Sequence, residues 1–150
     1  MIRMVALLAL SVGLGGAAYS LNPFDDIARS HVDGNVPPPA EFQAFLRRDL
    51  EAYFRRSKPE RLTVKWEMLR DGPTQSGVSY PKFYIWAQVY AGRKLREEGA
   101  VRLAAVDRKR FDITHYLSGS AIRKQPDRLE QVFPAPVAAR IRTKVGLPAR

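Results

Sequence analysis

Hydrophobic residues recur at helical spacing between residues 41 and 59. Phe42, Phe45, Leu46, Leu50, Tyr53 and Phe54 share one face of the helical period, while Arg47, Arg48, Glu51, Arg55 and Arg56 fall mostly on the other. Pro59 closes this helix. The pattern then changes to alternation. Leu62, Val64, Trp66 and Met68 interleave with Thr63, Lys65 and Glu67, which predicts a strand with one apolar face. Residues 83–90 form a second strand rich in aromatic and β-branched side chains, 95–106 a third, and 111–117 alternate once more. Gly99 is expected to form a bulge in the third strand. The links at Ala91–Lys94 and Asp107–Arg110 are short, so consecutive strands should pair antiparallel as a meander.

The tail reads as short helices. Ser118 or Ser120 can cap a turn through Arg123, Pro126-Asp127 opens a helix through Val132, and Pro136 opens another that Gly146 ends. Residues 41–150 thus predict a single α+β domain: a long helix packed on a four-stranded antiparallel meander sheet, followed by short C-terminal helices. The sheet needs a cover, which favours placing the long helix on it. A helix lying on an anionic membrane surface is the alternative for this aromatic- and arginine-rich segment. Residues 21–40 read as a Pro-containing, extended linker, because Asn22-Pro23, Asp33-Gly34 and Pro37-Pro38-Pro39 interrupt them.

Residues 1–20 have the order of a secretory signal peptide: Arg3, an uncharged run holding Leu7, Leu8, Leu10, Val12 and Leu14, then small residues. Gly16 and Ala18 suit a cut after Ala18, and Ala18 and Ser20 a cut after Ser20. The expected location is therefore exported, periplasmic or secreted. The alternative is an uncleaved anchor that holds the chain to the inner membrane by residues 4–19.

Composition narrows the picture further. A length of 150 residues allows one domain, and 45% hydrophobic with 27% charged residues argues for a folded chain. The absence of cysteine excludes disulfides, cysteine-based zinc sites and thiol catalysis. Export without cysteine suits a bacterial envelope protein. The formal charge is +10, and removal of the leader takes away only Arg3, leaving +9. A basic exported domain points to an envelope protein or an anionic glycan or lipid as partner. Nucleic acid is the partner only if the chain stays in the cytosol.

The element order from Ala40 to Leu117 resembles the cystatin-like and NTF2-like α+β roll, found in many exported bacterial proteins. Within it, Gln88-Val89-Tyr90-Ala91-Gly92 is similar to the Gln-x-Val-x-Gly hairpin of cystatins. It departs at Tyr90, and Asp107–Arg110 lacks the Pro-Trp pair of the family's second hairpin. NTF2-like rolls imply a pocket at the open end of the cone with an inward His or Asp as base.

Two regions are candidates for binding. The long loop from Gly72 to Tyr80 offers Thr74, Gln75 and Ser76 on a rigid scaffold. Tyr84, Trp86 and Tyr90 form a stripe on one face of the second strand, able to grip a glycan or a protein unless the tail helices cover it. His115 alternates with Phe111, Ile113 and Leu117 and should point to the apolar side. No catalytic residue, metal site or cofactor is predicted, since His31 and His115 have no metal-ligand spacing and no phosphate loop or nucleophile elbow occurs. The expected function is a non-catalytic exported accessory domain at the bacterial envelope. A small enzyme with a pocket around His115 is the alternative from a different class.

Overall fold

The computed structural model describes residues 23–56 and 59–148. Residues 1–20, read from sequence as a signal peptide or anchor, lie outside them. The chain is an α+β protein with elements in the order α1 (Pro23–Asn35), α2 (Pro39–Arg55), β1 (Leu62–Met68), β2 (Lys82–Ala91), β3 (Lys94–Val106), β4 (Arg110–Ser118), α3 (Gly119–Lys124), α4 (Arg128–Val132) and α5 (Ala135–Lys144). The four strands form one antiparallel sheet in the order β1-β2-β3-β4.

The stretch read as an extended linker is largely helical. Pro23 opens α1 at a position where its missing N–H costs nothing, and Asp25 and Asp26 sit in the first turn beside the positive end of the helix dipole. Ala28, His31, Val32 and Asn35 recur at helical spacing and are at least half-buried, whereas Phe24 and Ile27 at the start are 76% and 46% exposed. Pro37 and Pro38 then separate α1 from α2, which has proline at its own start.

One face of the sheet carries the larger core. Leu46, Leu50 and Phe54 of α2 share a buried cluster with Leu62, Val64, Phe83, Ile85, Val89, Val101, Leu103 and Phe111. Phe42 meets Phe83 and Phe111 edge-on, with ring centroids 5.2 Å and 4.9 Å away. Asp49 fixes the helix over β4 by accepting the Phe111 backbone N–H at 2.7 Å.

The opposite face is covered by the tail. Ser118 caps α3, its Oγ accepting the Ala121 N–H. Leu69, Tyr84, Trp86, Ala100 and Leu117 of the sheet region form a second cluster with Ile122, Leu129, Phe133, Val137, Ile141 and Val145. The tail is also pinned by polar contacts: Arg140 donates to the Leu69 carbonyl at 2.8 Å, and the buried Arg142 meets Glu130 at 2.8 Å.

Two irregularities redirect side chains. Gly99 is not a bulge; it pairs regularly with Ala87 and Ser118. It is glycine because β4 passes too close: a Cβ there would collide with the Leu117 carbonyl and lie 2.7 Å from the Tyr116 ring. The bulges lie elsewhere: Val89 pairs with Glu97 but Tyr90 with Leu95, so Arg96 is an extra residue in β3. Arg102 pairs with His115 but Leu103 pairs with Ile113, so Thr114 is the extra residue. Phe111 and Ile113 face α2, and past the bulge Tyr116 does so while Leu117 turns to the tail. His115 is therefore on the tail side and exposed, not inward.

Candidate functional site

The tail helices cover only part of their face of the sheet. Beyond Trp86 the strands carry polar residues, and register brings them together. Lys65 of β1 lies opposite Gln88 of β2, which lies opposite Glu98 of β3. Glu67 and Trp86 form the adjacent row. Lys144, in the last turn of α5, closes the side. These residues line an open cleft of about 260 Å³.

Each polar group in the cleft is oriented by another. The Gln88 amide donates to Glu98 Oε2 at 3.2 Å, and the Trp86 indole N–H points at the same oxygen at 3.4 Å. Tyr90 donates to Gln88 Oε1 at 3.4 Å, which fixes which end of the amide faces Glu98. Lys65 lies over the Tyr90 ring, its Nζ 5.1 Å from the centroid. Lys144 Nζ meets Glu67 Oε2 at 2.6 Å and ties the end of α5 to β1. The cleft thus has one carboxylate held by neutral donors and two ammonium groups on its rim. Such a set reads hydrogen-bond geometry and charge; its groups are already engaged, which suits recognition.

The residues singled out from sequence do not form one site. Tyr84 is only 4% exposed: its ring packs against Phe133 and its hydroxyl bonds to Thr74 Oγ1 at 2.6 Å. Trp86 is 5% exposed and its indole N–H is directed to Glu98 of the cleft. The stripe is covered because α4 and α5 supply the apolar partners that these two rings require. Tyr90 remains half-buried at the rim, six residues and roughly 20 Å along the strand from Tyr84.

The Gly72–Tyr80 loop lies at the Tyr84 end. Thr74 forms an isolated bridge with Lys82, Gln75 donates to the carbonyls of Gly77 and Ser79, and the Ser76 carbonyl accepts from Ser79. These groups hold the loop to itself. The Gln88–Gly92 segment is strand for most of its length, with Val89 fully buried and the turn confined to the residues around Gly92. Its side chains accordingly serve the cleft and the core.

Of Lys65, Glu67, Gln88, Glu98 and Lys144, only Gln88 belongs to a motif singled out by sequence, the hairpin similar to that of cystatins. Strand alternation places the first four on one face, but the register that aligns Lys65, Gln88 and Glu98 depends on hairpin geometry, and Lys144 joins them only through tertiary packing. Among the described residues there is no group of three His, Asp or Glu side chains able to hold a metal ion, and no helix is long and apolar enough to cross a membrane. No family model matches the chain, and no curated protein or solved structure is significantly similar to it.

Proposed function

We propose that the protein is a non-catalytic, exported accessory domain of the bacterial cell envelope that holds a partner protein in the cleft between α5 and strands β1–β3, and that its fold is a cystatin/NTF2-like roll. The observation that carries this reading is the oriented polar row Lys65–Gln88–Glu98 on a part of the sheet that the buried clusters under α2 and the tail helices leave open. An unsealed sheet face with fixed donors and acceptors is a recognition surface, and its mixed charges select the orientation of the bound segment. The leader-like order of residues 1–20 supports export, and the basic balance of the chain favours an acidic partner.

The test joins location to binding. Fractionated cells should yield the domain outside the cytoplasm, with the N-terminus cut after Ala18 or Ser20 or retained as an anchor. Glu98→Arg should abolish association with the envelope partner, while Gln43→Arg, on the exposed side of α2, leaves it unchanged. Recovery of the full chain in the cytosol, or equal binding by both variants, would overturn the proposal.

A further inference from the structure

We propose that Lys82, Arg102 and His115 form a binding site for a doubly charged oxyanion, the phosphoryl group of a soluble ester or of a lipid headgroup. The site is on the tail side of the sheet toward β4, away from the polar cleft, and it stands independently of the function proposed for that cleft.

The sheet register assembles it. Arg102 and His115 are direct cross-strand partners, which puts their Cβ atoms about 5 Å apart. Lys82 is opposite Ala104, so it is the diagonal neighbour of Arg102 at about 7–8 Å. Ala104 contributes only a methyl group between Lys82 and β4. The Thr114 bulge is what turns His115 onto this face, and Thr114 also orients the guanidinium: Arg102 Nε donates to Thr114 Oγ1 at 3.0 Å, and Thr114 Oγ1 donates back to the Arg102 carbonyl at 3.0 Å.

Arg102 Nη1 reaches the Val132 carbonyl at 3.2 Å. Of the five N–H groups of a guanidinium, three are left uncommitted here. Among the described residues, the Lys82 ammonium and the His115 imidazole have no hydrogen-bond or ion-pair partner. Three cationic side chains therefore share one patch without a carboxylate of their own. Register also places Asp112 on this face, opposite Ala104, and its carboxylate is engaged by Arg110 Nε at 3.1 Å. From α3, Arg123 is directed to the Val145 carbonyl, and α4 contributes the Val132 carbonyl.

The electrostatics agree with the geometry. Burial and then the Arg102 charge lower the basicity of both Lys82 and His115. Each cation feels Arg102, and a dianion placed among them removes that repulsion. Its binding must raise the proton affinity of His115, so affinity rises as pH falls through the His115 titration.

Sulfate is the probe, because it is doubly charged and does not titrate in this range. Proton NMR of the mature protein carrying His31→Gln leaves one imidazole to follow. Exchanging chloride for sulfate at constant ionic strength should raise the pH at which His115 titrates by about half a pH unit or more. Sulfate should bind about threefold or more tightly at pH 5.5 than at pH 7.5. Lys82→Gln, checked for an unchanged backbone spectrum, should remove the sulfate effect. Vesicles of phosphatidic acid, whose headgroup is a phosphomonoester able to carry two charges, compared with phosphatidylcholine, separate the two sources: a matching His115 response assigns a lipid headgroup, and a response to sulfate alone assigns a soluble ester. Identical His115 titrations in chloride, sulfate and phosphatidic acid vesicles would overturn the site.

Discussion

Asn35 satisfies the first two backbone N–H groups of the turn that begins at Asp107. Its side-chain Oδ1 accepts the Asp107 N–H at 3.1 Å, and its carbonyl accepts the Arg108 N–H at 2.8 Å. The turn needs this support. Asp107 and Arg108 both have positive φ, 53° and 59°, in a β3–β4 connection where an Asn-Gly pair would be the ordinary choice. Asn35 itself is held by its Nδ2 donating to the His31 carbonyl, so α1 and the hairpin stabilise each other.

Removing the strain or the support should move stability in opposite directions. Arg108→Gly is expected to stabilise the domain by about 1 kcal/mol, because glycine adopts the left-handed conformation without a Cβ penalty. The loss of the Arg108 contact to the Asp33 carbonyl is at the surface and offsets little of this. Asn35→Ala should destabilise by about 1–2 kcal/mol by leaving the Asp107 N–H without its acceptor. Urea unfolding of the two variants, with unchanged slopes, checks both signs.

Gly99→Ala should be among the most damaging single substitutions in the sheet. The added Cβ meets backbone atoms of Leu117 and Ser118, which cannot step aside as the end of a flexible side chain can. A loss of about 3 kcal/mol is expected. The comparison is Gly34→Ala inside α1, where nothing lies within 4 Å of the new methyl and the better helix former should stabilise by up to about 1 kcal/mol.

Tyr116 should remain protonated above the pH at which a free phenol ionises. Burial, followed by the Glu97 charge and the hydrogen bond to Glu97 Oε2 at 3.1 Å, pushes its phenol well above the usual range. In the unfolded chain the same phenol loses its proton near pH 10. The folded state therefore binds more protons above that pH, and stability must fall as pH rises further. Tyr116→Phe should flatten this alkaline decline, and a spectrophotometric titration of the native protein should show one tyrosine fewer ionising before unfolding. An unchanged alkaline slope in the variant would show that Tyr116 does not cause it.

The strands were legible in the sequence because alternation and short links are local signals. Leu62–Met68 alternates over its whole length, and the two four-residue links leave antiparallel neighbours as the only economical connection. What failed was non-local. The stripe Ala28, His31, Val32, Asn35 was hidden by Asp33-Gly34, and Asn35 is buried only because a hairpin seventy residues later offers its two N–H groups. His115 was placed on the wrong face because a single extra residue, Thr114, inverts the alternation, and no residue type marks it. Tyr84 and Trp86 looked available because the sequence does not show where the tail helices settle. The cleft escaped for the same reason, since Lys144 and Glu67 meet 77 positions apart.

The cleft is the surface proposed to meet a partner. The most direct measurement is photocrosslinking in living cells from a photoreactive residue at Lys65, on the rim of the cleft, beside the same residue at Gln43 on the exposed side of α2. The expected result is a discrete adduct in the envelope fraction from position 65 that disappears with Glu98→Arg and does not form from position 43. Equal crosslinking from both positions, or an adduct from position 65 that survives Glu98→Arg, would contradict it.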